Sequence, residues 1–178
     1  MQDLRSEEQE ILARFGFEEA EFAALRERFR RGELAEQANI ETGRIEPPPA
    51  ECLEDLPDVE SDAWRRLEEI GREAIRAGKL ALVILNGGMA TRFGGVVKGV
   101  VPVTGDVSFL QLKMQHTAAV ARACGGRIPM LLMNSWATER ATEEHVAGRD
   151  YFGLDRAELF AFSQYLHPRL TAAGEIFR

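Results

Sequence analysis

Four glycines and two cations share one short stretch, residues 85–98, which reads LNGGMATRFGGVVK. Gly87, Gly88, Gly94 and Gly95 let backbone N–H groups approach an oxyanion closely and converge on it. Arg92 carries a planar fork matched to phosphate oxygens, and Lys98 a mobile point charge. Charge content alone would leave both cations as solvated surface groups; beside a glycine loop at a strand end they suit a triphosphate. Two rival loops fail on spacing. A dinucleotide loop requires G-x-G-x-x-G opening a helix, whereas Gly87-Gly88 runs into Met-Ala-Thr-Arg-Phe. A Walker loop requires Gly-Lys followed by Ser or Thr, whereas Gly78-Lys79 is followed by Leu80.

The elements around this loop must hold it. Residues 80–85 form a continuous apolar run, LALVIL, which predicts a strand buried on both faces. A short extended piece over 100–103 follows the loop. Ser108 then stands as the cap of a helix to about Cys124, stopped by Gly125-Gly126. Residues 128–133 predict a second buried strand, 138–147 a helix, and 159–162 a third strand. This alternation predicts an α/β fold with an open, mostly parallel sheet and flanking helices. Ligands of such sheets sit at the carboxyl ends of the strands. There the sequence places Asn86-Gly87-Gly88, Asn134-Ser135 and Ser163-Gln164, polar or glycine in all three cases. Asn134 and Ser135 read equally as helix caps and as ligand groups.

The segment before residue 80 has a different texture, and 1–79 is expected to be a helical arm preceding a domain over 80–178. Ser6 with Gln9 fits a capping box before Ile11, Leu12 and Phe15. Phe22, Leu25 and Phe29 recur at helical spacing before Gly32. Pro47-Pro48-Pro49 enforces a non-helical link. Ser61 then caps a helix with an apolar stripe of Trp64, Leu67, Ile70 and Ala74 that ends at Gly78.

A formal net charge of -7 argues against a polyanion-binding surface, so nucleic acid is not an expected partner. Cys52 and Cys124 make neither a disulfide framework nor a metal-ligand spacing, which points to a reducing, cytoplasmic setting. The acidic start MQDLRSEEQE does not read as a signal peptide, and no apolar run approaches the roughly 20 residues that span a bilayer. His116, His145 and His167 lack an acidic or thiol partner in sequence and read as structural. Glu143-Glu144 reads as a solvated helix face.

The loop LNGGMATRFGGVVKG resembles that of the UTP–glucose-1-phosphate uridylyltransferase family, roughly L-x-G-G-x-G-T-x-x-G followed by Pro-Lys. Three later segments are similar to that family in the same order: 105–110 (GDVSFL), 131–138 (LLMNSWAT), and Phe162-Ser163-Gln164 with Pro168-Arg169 beyond. Ala90 stands where the family pattern has glycine, and Val97 where it has proline.

The resemblance implies a Rossmann-like nucleotide-diphospho-sugar transferase fold in which UTP and a sugar 1-phosphate, glucose 1-phosphate in the first place, give a UDP-sugar and pyrophosphate. By position, Leu85, Asn86, Gly87 and Gly88 would hold the uridine end through backbone groups, and Gln164 would read the uracil edge. Lys98 would contact the reacting phosphates and Arg92 the leaving pyrophosphate, with Mg2+ bridging phosphates. Family members are more than twice this long, so the fold is expected to be incomplete here, the metal ligands and sugar pocket lying on further polypeptide or another subunit. A nucleotide-binding or regulatory module without catalysis is the alternative reading; an interaction arm on a degenerate scaffold is a third.

Overall fold

The computed structural model describes residues 5–35, 40–90 and 94–177. The chain divides into two compact units, Met1–Asp55 with Tyr165–Arg178, and Leu56–Gln164.

The first unit contains helix α1 (Ser6–Arg14) and helix α2 (Glu19–Arg30). The capping contact of α1 falls one residue earlier than the sequence suggests. The backbone N–H of Arg5 donates to Glu8 at 2.9 Å, and its guanidinium grips the same carboxylate, so Ser6 is already helical. The Arg5–Glu8 pair offers several charge-assisted bonds where a serine offers one. Leu12 and Phe15 are buried. Gly16 turns the chain at φ +71°, and the ring of Tyr165 occupies the space a Cβ there would need. Phe17 packs on Phe22 at 5.4 Å and meets the edge of His167 at 5.8 Å between centroids. Arg26 and Arg30 together clasp Glu175 at 2.9 and 3.0 Å.

The second unit opens with helix α3 (Asp62–Arg76), whose first turn is capped as expected: Ser61 Oγ accepts from the N–H of Trp64 at 3.2 Å. Its buried residue is Ile75, not the anticipated stripe; Leu67 and Ile70 are about half exposed, at 51% and 54%. The reason is the neighbour. Ile75 joins Ala121 and Ile128 in a small cluster with Cys124 packed against it. Arg72 and Arg76 donate to the carbonyls of Ala123 and Cys124. Those carbonyls close helix α4 (Phe109–Cys124), and cations favour that end. Gly126 admits the close approach, since a Cβ there would sit 2.5 Å from the carbonyl oxygen of Ile75.

Between these helices the chain lays down strand β1 (Leu82–Leu85), a small pair, β2 (Met89–Ala90) with β3 (Val96–Val97), and a second small pair, β4 (Pro102–Thr104) with β5 (Val107–Ser108). Thus the glycine stretch holds an antiparallel pair, Met89 with Val97 and Ala90 with Val96, and Gly94 and Gly95 both have positive φ. After α4, left-handed Gly125 ends the helix, and β6 (Met130–Asn134), helix α5 (Glu139–Ala147) and β7 (Leu159–Ser163) follow. Among the described residues the main sheet has the order β1-β6-β7, parallel throughout.

Both crossover helices feed one core. Leu110 and Met114 of α4 and Val146 of α5 pack with Ile84, Met130, Leu132 and Phe152. Phe152 is delivered by an unusual turn: Asp150, Tyr151 and Phe152 have φ of +48°, +51° and +57°. Left-handed backbone at non-glycine residues costs about 1–2 kcal/mol each, of the order recovered by burying one large apolar side chain.

The strand over residues 80–85 therefore departs from its expected two-sided burial. Val83 pairs with Leu131 and Leu131 with Phe160; Leu85 pairs with Met133 and Met133 with Phe162. These rows share the face opposite Ile84 and Leu132, where Val83, Leu85, Phe160 and Phe162 stay exposed, Leu85 at 74%. The apolar run records a strand that could be covered twice, while the helices that follow it cover one side. No helix among the described residues is long and apolar enough to cross a membrane.

Candidate functional site

The carboxyl ends of the three parallel strands bring distant residues together. The backbone N–H of Asn86, one residue past β1, donates to Met133 O at 2.8 Å; that of Gln164, one past β7, donates to Asn134 O at 2.8 Å. Each strand end is thus tied to β6, and Gln164 reaches across β6 to Gly87. A Cβ on Gly87 would lie 2.9 Å from Gln164 Oε1 and 3.2 Å from its Cδ, so glycine is what lets the carboxamide lie against the backbone. Gln164 is exposed, and its carboxamide, which can both donate and accept, lies against the backbone of Gly87.

Leu85 is exposed, and the side chain of Asn86 turns inward with 6% exposure. Asn86 Nδ2 donates to Asn134 Oδ1 at 3.0 Å and to Thr142 Oγ1 at 2.7 Å. Any contact of Asn86 with a ligand at the strand ends therefore belongs to its backbone. Asn134 is also committed to this network. Ser135 accepts, through its carbonyl, the N–H groups of Thr138 and Glu139 that open α5, and Thr138 Oγ1 accepts from the N–H of Ser135 at 2.9 Å. The polar pair after β6 thus builds the start of the helix. Ser163 donates to Glu139 at 2.9 Å.

Lys98 is exposed on a 3-10 turn, Lys98–Val100, that begins directly after buried Val97. Its neighbour Gly99 rests on Asn86: a Cβ on Gly99 would collide with Asn86 Oδ1 and touch Leu110 Cβ at 3.6 Å. The turn that carries Lys98 is in this way seated on the same strand end as Gly87. Arg92 lies outside the described residues.

Sequence reasoning named Thr138 only within a matching segment and at a helix start, and overlooked Thr142 and Gly99. The signal was present: two threonines four apart on a helix face, and a glycine immediately after the singled-out lysine. It also overlooked a pairing of His145. Arg149 can only donate, so His145 Nδ1 accepts from it at 2.8 Å, and Nε2 carries the proton toward Ser108 Oγ, also at 2.8 Å. Ser108 Oγ accepts in addition from the N–H of Gln111, capping α4. Burial, and then the charge of Arg149, hold the imidazole below its ordinary value. With 0% exposure and an oxygen that receives donors, Ser108 is a structural joint and not a nucleophile.

Among the described residues no group of three or more His, Cys, Asp or Glu side chains could hold a metal ion. The groups at the strand ends are backbone amides, the Gln164 carboxamide and the Ser163 hydroxyl with the Glu139 carboxylate it donates to. The amides and the carboxamide suit a phosphate or a base.

Comparison with known proteins agrees with the fold. The UTP–glucose-1-phosphate uridylyltransferase family matches residues 20–177. The chain is 29% identical over 132 residues to UTP–glucose-1-phosphate uridylyltransferase 2 of Dictyostelium discoideum, covering 74% of this chain and 24% of that protein. It is 26% identical over 149 residues to the UDP-N-acetylglucosamine pyrophosphorylase of Saccharomyces cerevisiae, covering 80% of this chain and 30% of that one. The crystal structure of the uridine diphosphate N-acetylglucosamine pyrophosphorylase of Trypanosoma brucei superposes with a TM-score of 0.62 at 24% identity, over 95% of this chain and 38% of that one. The chain thus spans about a quarter to a third of the curated relatives it matches.

Proposed function

Because the chain belongs to the UTP–glucose-1-phosphate uridylyltransferase family, we propose that it supplies the uridine-nucleotide site of an enzyme that joins UTP and a sugar 1-phosphate. The products are a UDP-sugar and pyrophosphate. The observation that carries this reading is the apposition of Gln164 and Gly87 across the end of β6. A carboxamide beside an open backbone edge matches the alternating donors and acceptors of uracil. Residues 80–178 form the first part of the nucleotidyltransferase domain in this reading, and 1–79 an arm.

In the proposed reaction an oxygen of the sugar phosphate attacks the α-phosphorus of UTP in line. The new P–O bond forms as the bond to the β-phosphate breaks, and pyrophosphate leaves with the electron pair. The protein's part is positioning and charge neutralisation. Leu85, Asn86, Gly87 and Gly88 offer the backbone of the nucleotide cradle, Lys98 meets the reacting phosphates, and Arg92 the departing pyrophosphate. Magnesium belongs to the proposal as a companion of the triphosphate. The described residues offer it no cluster, so no step is assigned to it. The exposed face of the sheet supports a requirement for further polypeptide or another subunit. Cytoplasmic location is part of the proposal and is supported by two unpaired cysteines.

Glucose 1-phosphate is the proposed sugar substrate, following the name of the matching family; N-acetylglucosamine 1-phosphate is the competitor raised by the yeast relative's name. Ala90 and Val97, which depart from the family's loop pattern, favour a second reading, a nucleotide-binding module without turnover. Titration calorimetry with UTP and CTP, followed by pyrophosphate release with each sugar phosphate, tests all of these. UTP preference with release on glucose 1-phosphate is expected of the enzyme. Binding without release in the full-length protein supports the module. Absence of UTP binding refutes both.

A further inference from the structure

We infer that Asn86 is a positioning residue for Lys98, its buried carboxamide latching the turn Lys98–Val100 to the end of β1 and to helix α5. The inference deepens the proposed nucleotide site and rests on it in assigning phosphates to Lys98.

The orientation of the latch follows from counting protons. Thr142 Oγ1 has one, and donates it to Thr138 O at 2.7 Å. The bond between Thr142 and Asn86 must then run the other way, with Asn86 Nδ2 donating at 2.7 Å. The second proton of Nδ2 goes to Asn134 Oδ1 at 3.0 Å. With its NH2 group so committed, Asn86 can direct only its oxygen toward the turn, and Oδ1 is the atom that a Cβ on Gly99 would strike first. One side chain therefore touches the end of β6, the second turn of α5 and the residue next to Lys98. Its own backbone is fixed in the sheet through Met133 O.

The turn has need of such a support. Its internal closure is a single long bond, Val101 N–H to Lys98 O at 3.3 Å. Val97 precedes it where the family pattern has proline, so no ring presets the backbone φ. What holds the turn is tertiary: Val97 buried at 6%, Gly99 against Asn86, and Leu110 beneath. A lysine on a long flexible stem delivers its charge to one place only if its Cα is held there. Displacements on the order of 1 Å at such positions cost roughly 100-fold in comparable sites.

The test has an arm that needs no ligand. Thr142→Val removes the acceptor at nearly constant shape, and Thr142→Ser retains it. Hydrogen exchange is followed over residues 96–101 relative to the rest of the chain in both, and in Asn86→Ala. Faster exchange confined to this segment in Thr142→Val and Asn86→Ala, with Thr142→Ser near the parent, is the expected result; an unchanged segment overturns the latch. The second arm is a cycle on UTP affinity between Asn86→Ala and Lys98→Met. Each single change is expected to weaken binding by about tenfold or more. The pair should be no worse than Lys98→Met alone, because Asn86 acts through Lys98; additive losses overturn the inference. If Asn86→Ala does not fold, Gly99→Ala presses the same contact from the turn side and takes its place in both arms. A parent protein that binds no UTP refutes the nucleotide reading, and the exchange arm still decides the latch.

Discussion

Replacing Gly87 with alanine places a methyl group 2.9 Å from Gln164 Oε1, 3.2 Å from Cδ and 3.4 Å from Nε2. Gly87 lies outside the left-handed region, so the backbone accepts alanine without strain. The obstructing atoms are the far end of an exposed, flexible side chain, which can swing away. Lost freedom in the unfolded chain works in favour of alanine, so the stability change should stay within about 1 kcal/mol. Recognition fares differently. A displaced carboxamide forfeits up to two neutral hydrogen bonds at about 0.5–1.5 kcal/mol each. The sum is about 1–3 kcal/mol, or roughly 5- to 150-fold weaker UTP binding. Calorimetric titration beside urea unfolding separates the two effects. Gln164→Ala should lose a similar factor, and the double variant no more than either single one. Parent-like UTP affinity in Gly87→Ala, or losses that add in the double variant, would refute the reasoning.

Met114, fully buried between α4 and the sheet, should cost about 2–5 kcal/mol on change to alanine, read as a lowered urea midpoint. A shift equivalent to less than about 1 kcal/mol would contradict its place at the centre of the core. Asp150→Gly should raise stability by up to about 1 kcal/mol, because glycine relieves an exposed left-handed position at φ +48°; a lowered midpoint would show that the side chain earns its strain. His145 gives a pH dependence. Its folded value is depressed below the ordinary value of about 6.5, so the unfolded chain takes up the proton first as pH falls. Stability present above pH ~6.5 is therefore lost as pH drops through the folded value. Urea midpoints between about pH 7.5 and 5.5 should slope less in His145→Gln than in the parent; equal slopes would remove His145 as the cause.

Much of the architecture was legible because it is local. Ser61 and Ser108 cap helices by reaching three residues ahead, and Gly125 stops α4 by its left-handed backbone. The parallel order of β1, β6 and β7 follows from strands separated by helices. The candidate strand ends were legible for the same reason, since ligands of such sheets gather where strands stop. What escaped were choices between equivalent local options. Ser6 and Arg5 both begin a plausible helix, and the larger set of bonds to Glu8 decides between them. The stripe through Leu67 and Ile70 is a sound amphipathic pattern, yet α3 docks through Ile75, Arg72 and Arg76, because the end of α4 presents carbonyls there.

By itself the sequence determined the helices, the three strands of the parallel sheet, their order, and a glycine-rich stretch with Lys98 close behind it, since each depends on neighbours within a few residues. Only the tertiary structure decided that β2 and β3 of the stretch pair, that Gln164 lies against Gly87, and that Asn86 turns inward to Thr142 and Gly99. It also decided that one face of the sheet stays open, since both crossover helices pack on the other. Apolar periodicity records which faces can be buried; which ones are depends on where distant segments come to rest. The contacts that assemble the site span 48 and 56 residues, from Asn86 to Asn134 and to Thr142. Complementarity of donor and acceptor at that range exists only once the strands are side by side.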